Sequence, residues 1–250
     1  MRIIISPAKK MKIDTDLMTS AQMPRFINES EQLLSVLQKL SYDELKALWK
    51  CNDAIAEQNM ERIQNMNLKA NLTPAIYAYE GIQYQYMAAG VFQQEELAYL
   101  EQHLRILSGF YGMLRPFDGV TPYRLEMQGK LQGPGFSSLY HFWGSKLADQ
   151  LQSESNCILN LASKEYSKNI IPFLSEETRF INCVFGQMVN GKMVEKATRA
   201  KMARGEMVRY MAERKITDVQ EIKNFDRLDF VFSEEKSDES NYVFVYPQEK

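Results

Sequence analysis

The period of apolar positions changes several times along the chain. Ile3, Ile4 and Ile5 form an unbroken apolar run stopped by Ser6-Pro7, which predicts a short buried strand. A loop from Ser6 to Asp16 follows, carrying Lys9, Lys10 and Lys12. Pro24 opens a helical pattern in which Leu33, Leu34, Leu37 and Leu40 share one face. Ser41 followed by Glu44 is a capping-box signature and starts a second helix through Leu45 and Leu48. A third helix is predicted from about Asp53 to Asn65.

Thr73-Pro74 begins a new segment, and Ile76 to Tyr79 is strand-like, ending at Glu80-Gly81. A helix is predicted from Gln93 to Gln102. Ser137 or Ser138 can cap another, running through Tyr140, Phe142, Trp143, Leu147 and Leu151. Asn156 to Ala162 reads as a buried strand, with Ser163 placed to cap a short helix after it. Phe180 to Val189 and Lys192 to Ala197 flank Asn190-Gly191, a strong signal for a hairpin turn. A helix from about Thr198 to Arg214 follows. The last strands predicted are Leu228 to Phe232 and Tyr242 to Val245, on either side of the polar, acidic loop Ser233 to Asn241. Strands spread over the whole chain predict one intertwined domain, residues 1–250. The mix of hairpins and helical runs predicts an α+β fold with a mixed sheet and flanking helices, rather than a doubly wound sheet.

Composition narrows the function classes. The 250 residues are 45% hydrophobic, enough for a sizeable core without disulfides or metals. Basic and acidic residues number 30 and 32, so any nucleic-acid surface must come from uneven charge. Cys51, Cys157 and Cys183 are odd in number and far apart, which fits a reducing cytosol and argues against a cysteine zinc site. No apolar stretch approaches a membrane span or a signal peptide. A cytoplasmic protein is expected.

Several chemistries lack their motif. His103 and His141 have no metal-ligand spacing and are read as structural or solvated. There is no G-x-S-x-G elbow, no phosphate-binding G-x-x-x-x-G-K-[ST] loop and no G-x-G-x-x-G fingerprint. No metal or cofactor site is expected.

Four stretches remain as candidates. In Leu107 to Pro116, Gly109 and Gly112 make a tight turn, and Arg105, Arg115 and Arg124 supply guanidinium forks around it. The stretch is either a phosphate-binding turn or a structural turn with surface arginines. Tyr123 to Met127, read as a strand, alternates Arg124 and Glu126 against Tyr123, Leu125 and Met127. Its charges form either a structural ion pair or a used one. Asn160, Ser163 and Glu165 end a strand and open a helix, where they can bind a polar ligand or simply cap. Lys192 to Lys215 concentrates eight basic residues against Glu195, Glu206 and Glu213, and Arg204 borders the apolar stripe Ala200, Ala203, Met207 and Met211. It is either a solvated basic helix or a binding one.

Together these runs resemble one family, the YaaA family of peroxide-stress proteins. The matching residues are Ser6-Pro7-Ala8-Lys9, Ser108 to Gly112 with Leu114-Arg115-Pro116, Tyr123 to Met127, Phe142-Trp143, Asn160 to Ser163 with Glu165-Tyr166, and Ala200-Lys201 with Ala203-Arg204-Gly205. The resemblance implies a cytoplasmic protein that limits oxidative damage and free intracellular iron. It also implies an unusual α+β fold with a basic cleft and a helix-hairpin-helix element that binds DNA, for which Leu107 to Leu114 is the candidate here. No iron-ligand cluster is evident among the residues.

The expected partner is double-stranded DNA, held mainly through its phosphates by Lys9, Arg105, Gly109, Gly112, Arg115, Arg124, Lys201 and Arg204. A monomer is expected. The rival expectation is an enzyme acting on a nucleotide or nucleobase, with Glu126 and Glu165 as acid and base and Asn160 and Ser163 orienting the substrate. A closed pocket holding both glutamates favours the enzyme, and a broad open groove favours DNA.

Overall fold

The isoleucine run forms β1 (Arg2–Ile5), and Ile3, Ile4 and Ile5 are all fully buried, as a strand covered on both faces requires. The computed structural model describes residues 1–14, 22–190 and 192–246. The end of the expected Ser6 to Asp16 loop and Gly191 of the expected turn lie outside them.

After β1 come β2 (Leu104–Ser108), β3 (Gly112–Leu114), β4 (Cys157–Leu161), β5 (Arg179–Val189), β6 (Lys192–Val194), β7 (Val231–Phe232) and β8 (Asn241–Tyr246). They join in one mixed sheet of order β7-β8-β5-β4-β1-β2-β3, with β6 also paired to β5. The strands β8, β5, β4, β1 and β2 run parallel. β3, β6 and β7 add antiparallel hairpins at the margins. The fold is therefore α+β, as the pattern predicts, with a parallel centre that includes strands from both ends of the chain.

Helices α1 (Ile27–Leu37), α2 (Tyr42–Trp49) and α3 (Asp53–Gln64) match the early pattern. The Ser41 and Glu44 capping box closes at the start of α2. Two short pieces follow, α4 (Ala75–Ala78) and α5 (Ile82–Met87), then α6 (Gln94–His103). The expected strand Ile76 to Tyr79 is thus mostly a helical turn. The backbone N–H groups of Ala75 and Ile76 donate to the carbonyls of Asp118 and Pro116, and this tertiary contact overrides the local β preference. Only Tyr79–Glu80 pairs as a strand, with Lys10–Met11.

The helix predicted through Leu151 breaks at Gly144, at φ 47°, into α7 (Leu139–Trp143) and α8 (Lys146–Glu154). Next are α9 (Lys164–Ser167) and α10 (Ala197–Arg214). Tyr123 to Met127 keeps the predicted alternation, with Tyr123, Leu125 and Met127 buried, but it pairs with no strand. The candidate helix-hairpin-helix, Leu107 to Leu114, is instead the antiparallel hairpin of β2 and β3. Gly112 takes φ 71° at its turn, and the Ser108 hydroxyl accepts the N–H groups of Phe110 and Tyr111.

Glycines fix two close approaches that shape the molecule. A Cβ on Gly109 would lie 2.5 Å from the Leu125 carbonyl oxygen, so the 125–127 chain rests directly on the hairpin turn. A Cβ on Gly205 would lie 2.2 Å from the Gln83 carbonyl oxygen, so α10 presses against α5 at backbone contact.

Candidate functional site

Parallel strands expose their carboxyl ends on one edge of the sheet, and ligands gather outside those ends. Here β1 runs out into Ser6 to Lys10, and its neighbour β4 runs out into Ser163 to Tyr166. These two segments line a cavity of about 530 Å³. Glu80 to Tyr84, Tyr123 to Glu126, and Lys201 with Arg204 complete its walls. The size suits a small ligand or a single nucleotide unit.

The junction of the two strands is tied directly. The Ser163 N–H donates to Ser6 Oγ at 2.8 Å, and the two hydroxyls are 3.3 Å apart. Ser163 starts α9 but its side chain caps nothing within that helix. The Tyr84 hydroxyl donates to the Ser6 carbonyl at 3.0 Å. Behind the wall, the Tyr123 hydroxyl lies 2.8 Å from that of Tyr79 and 2.6 Å from that of Ser108.

Charge in the cavity is mixed, not uniformly basic. Lys9 Nζ pairs with Glu126 Oε2 at 2.9 Å, while Arg124 Nη2 reaches Glu126 Oε1 only at 3.7 Å. Arg204 Nη2 lies 3.3 Å from Glu195 Oε2. Glu165 Oε1 accepts the Gln128 N–H at 3.1 Å. Burial pushes the Glu165 carboxyl above the usual range; that N–H opposes the rise and the charge of Glu126 adds to it. Burial likewise pulls the Arg204 guanidinium down.

The decisive feature is what these groups lack. Six buried side-chain polar atoms among the described residues have no hydrogen-bond partner, and three of them surround this cavity: Gln83 Nε2, Arg124 Nε and Arg204 Nε. All three are donors. A buried donor without an acceptor costs about 1–3 kcal/mol, so the cavity is matched to a ligand rich in acceptors.

Of the predicted site residues, Lys9, Arg124, Glu126, Ser163, Glu165, Lys201 and Arg204 meet at this cavity. The others do not. Arg105 is 5% exposed on β2, where it donates to Glu154 at 2.8 Å and to the carbonyls of Glu101 and Leu104. Arg115 pairs with Asp118, and both lie with Arg105 around a separate small cavity. Burial pushes the Asp118 carboxyl up to about 6 against the opposing Arg115 N–H and guanidinium. Gly109 and Gly112 are buried, the first under Leu125 and the second against Trp143. The Asn160 amide is spent on Asn182 and the Ala162 N–H.

The wall thus begins at Tyr123, not at Arg105. The sequence reading missed Glu80 to Tyr84, because Glu80-Gly81 signalled only the end of a strand. Gly81 was the available clue: a Cβ there would press on Ala8 at 3.1 Å.

Comparison with known proteins finds similarity along nearly the whole chain. Residues 1–236 match the family model described as peroxide stress protein YaaA. A UPF0246 protein of Lachnoclostridium phytofermentans is 55% identical over 245 residues, covering 98% of this chain and 96% of its own. A UPF0246 protein of Pediococcus pentosaceus is 49% identical, covering 98% of both chains. One from Agathobacter rectalis is 50% identical over 244 residues, again covering 98% of each.

Proposed function

Since the chain belongs to the YaaA family of peroxide stress proteins, we propose that it serves the peroxide response by binding DNA, with phosphate groups held at the cavity by Lys9, Arg124, Lys201 and Arg204. The supporting observation is the pair of buried arginines whose Nε donors have no partner. An anionic oxygen satisfies such a donor and offsets the charge at once. Lys9, 64% exposed, extends the basic edge to the mouth. Bound DNA is shielded from radicals, and limitation of free iron belongs to the same cellular role. The protein acts in this reading as a cytoplasmic monomer; no helix among the described residues is long and apolar enough to cross a membrane.

The test is salt dependence. Four phosphate contacts give a slope of log affinity against log salt of about −3.6, so affinity for a labelled duplex should fall on the order of 150-fold from 50 to 200 mM salt. An affinity that stays flat over that range overturns the proposal. In cells, loss of the protein should raise chelatable iron and DNA breakage after peroxide.

One observation favours a second reading, an enzyme acting on a nucleotide or nucleobase. Glu126 and Glu165 line the same cavity, and burial pushes the Glu165 carboxyl toward its protonated form. A carboxyl held toward its acid form beside a second one is an arrangement general acid–base chemistry can use. Product formation from nucleotides that Glu165→Gln abolishes would favour this reading over simple binding.

A further inference from the structure

A second cavity, of about 570 Å³, adjoins the first and shares Lys9 and Glu126 with it as a common wall. Its far side is built from α2 and the turn at Gln128 to Gln132. Gly129 lets that turn lie against α2, since a Cβ there would sit 3.3 Å from Leu48 Cδ1 and 2.9 Å from the Glu126 carbonyl oxygen. Trp49 lines this cavity, is 3% exposed, and has an indole N–H without any partner. The other tryptophan, Trp143, shows the usual solution: its indole N–H donates to the Gly109 carbonyl at 3.1 Å.

We propose that the two cavities are successive subsites for two nucleotides of an unpaired nucleic-acid strand. The inference rests on the phosphate-binding reading above and extends it. The first cavity presents unmet cationic donors, which call for a phosphate. The second presents one unmet neutral donor beside the apolar side chains of Leu40, Leu48 and Leu131, which calls for a planar ring with an acceptor on its edge. A nucleobase has that chemistry. Between them, Lys9 is mostly exposed and held only by Glu126, a pairing weak enough to open. Lys9 then faces the phosphate that joins the two nucleotides. Alternating phosphate and base requirements along one path are those of a single strand, since a duplex keeps its base edges paired.

The experiment compares thymidine monophosphate with the 5′-phosphorylated thymidine dinucleotide, using affinity and the proton–nitrogen spectrum of the two indole groups. The dinucleotide should bind about tenfold tighter, the gain expected of one engaged base. It should shift the Trp49 indole resonance while the mononucleotide leaves it in place, with Trp143 as the internal control. In Trp49→Phe the ratio of the two affinities should fall severalfold, to what the joining phosphate at Lys9 supplies. If both ligands bind equally and the Trp49 resonance stays still, the second subsite is refuted and the phosphate reading stands. If neither ligand binds, the inference fails, while the salt dependence of duplex affinity decides the phosphate reading separately. Should Trp49→Phe not fold, the wild-type resonance and affinity ratio decide alone.

Discussion

Replacing Arg204 by methionine should weaken DNA binding while leaving the fold as stable as before, or more so. Arg204 is 15% exposed through its side chain, its Nε has no partner, and its one ion pair is a 3.3 Å contact with a Glu195 that is itself 33% exposed. The unmet donor costs about 1–3 kcal/mol. The partly exposed ion pair returns about 0–1 kcal/mol. Methionine fills similar space and carries no charge, so the change gains on the order of 1 kcal/mol. For a chain of this length that raises Tm by about 2–4 °C. In the complex the same guanidinium donates to a charged oxygen, worth about 1.5–3 kcal/mol, so its loss weakens binding about 10- to 150-fold. Thermal unfolding by circular dichroism and anisotropy of a labelled oligonucleotide measure the two quantities on one preparation. A variant that melts about 5 °C or more below wild type and binds DNA normally refutes the reasoning, because Arg204 would then be a structural cation. Arg105→Met is the matched control. Its Nε and Nη1 donors are taken by Glu154 and two carbonyls, so its removal should cost about 2–3 kcal/mol with no change in DNA affinity, although Arg2 and Gln150 still bond Glu154.

Two further outcomes follow from packing and titration. Gly205→Ala gains about 1 kcal/mol of helix propensity, but its Cβ would meet the Gln83 carbonyl at 2.2 Å. The clash should dominate, lowering stability by about 1–2 kcal/mol in urea unfolding and weakening DNA binding by shifting Gln83; unchanged stability would count against the close contact of α10 and α5. Asp118 has its folded pKa raised, from 3.8 to about 6, so its contribution is fully present below pH 3.8 and is lost as pH rises through about 6. Between pH 4 and 7 the wild type should therefore lose on the order of 3 kcal/mol that Asp118→Asn does not, and parallel stability curves for the two proteins would rule this out.

Local signals in the sequence were reliable where neighbours in the chain decide the structure. Ser41 and Glu44 close their capping box within three residues, and Asn190, at φ 50°, ends β5 where the hairpin was expected. Long-range decisions were not legible. Ile76 to Tyr79 has strand residues, yet the N–H groups of Ile76 and of Ala75 before it are claimed by carbonyls about forty positions away. Tyr123 to Met127 has strand alternation, but it follows the glycine turn at Gly109 instead of a strand edge. The candidate arginines show the same divide. Arg105, Arg115, Arg124 and Arg204 are alike as residue types, and only the fold reveals which have acceptors. Glu154 reaches Arg105 across 49 residues, while no acceptor among the described residues reaches the Nε of Arg124 or Arg204.

The walls of the cavity come from residues 6–10, 80–84, 123–126, 163–166 and 201–204. No fragment shorter than residues 6–204 contains all five wall segments, so a small piece of the chain cannot carry the whole site. Occupancy also becomes a property of the whole molecule. A ligand that touches all five segments must be released before any one of them can unfold globally. Ligand at a hundred times its Kd then adds about 2.7 kcal/mol to the unfolding free energy of the entire chain. Slowed proteolysis and amide exchange in helices and strands remote from the cavity would therefore identify a true ligand even when its chemistry is unknown.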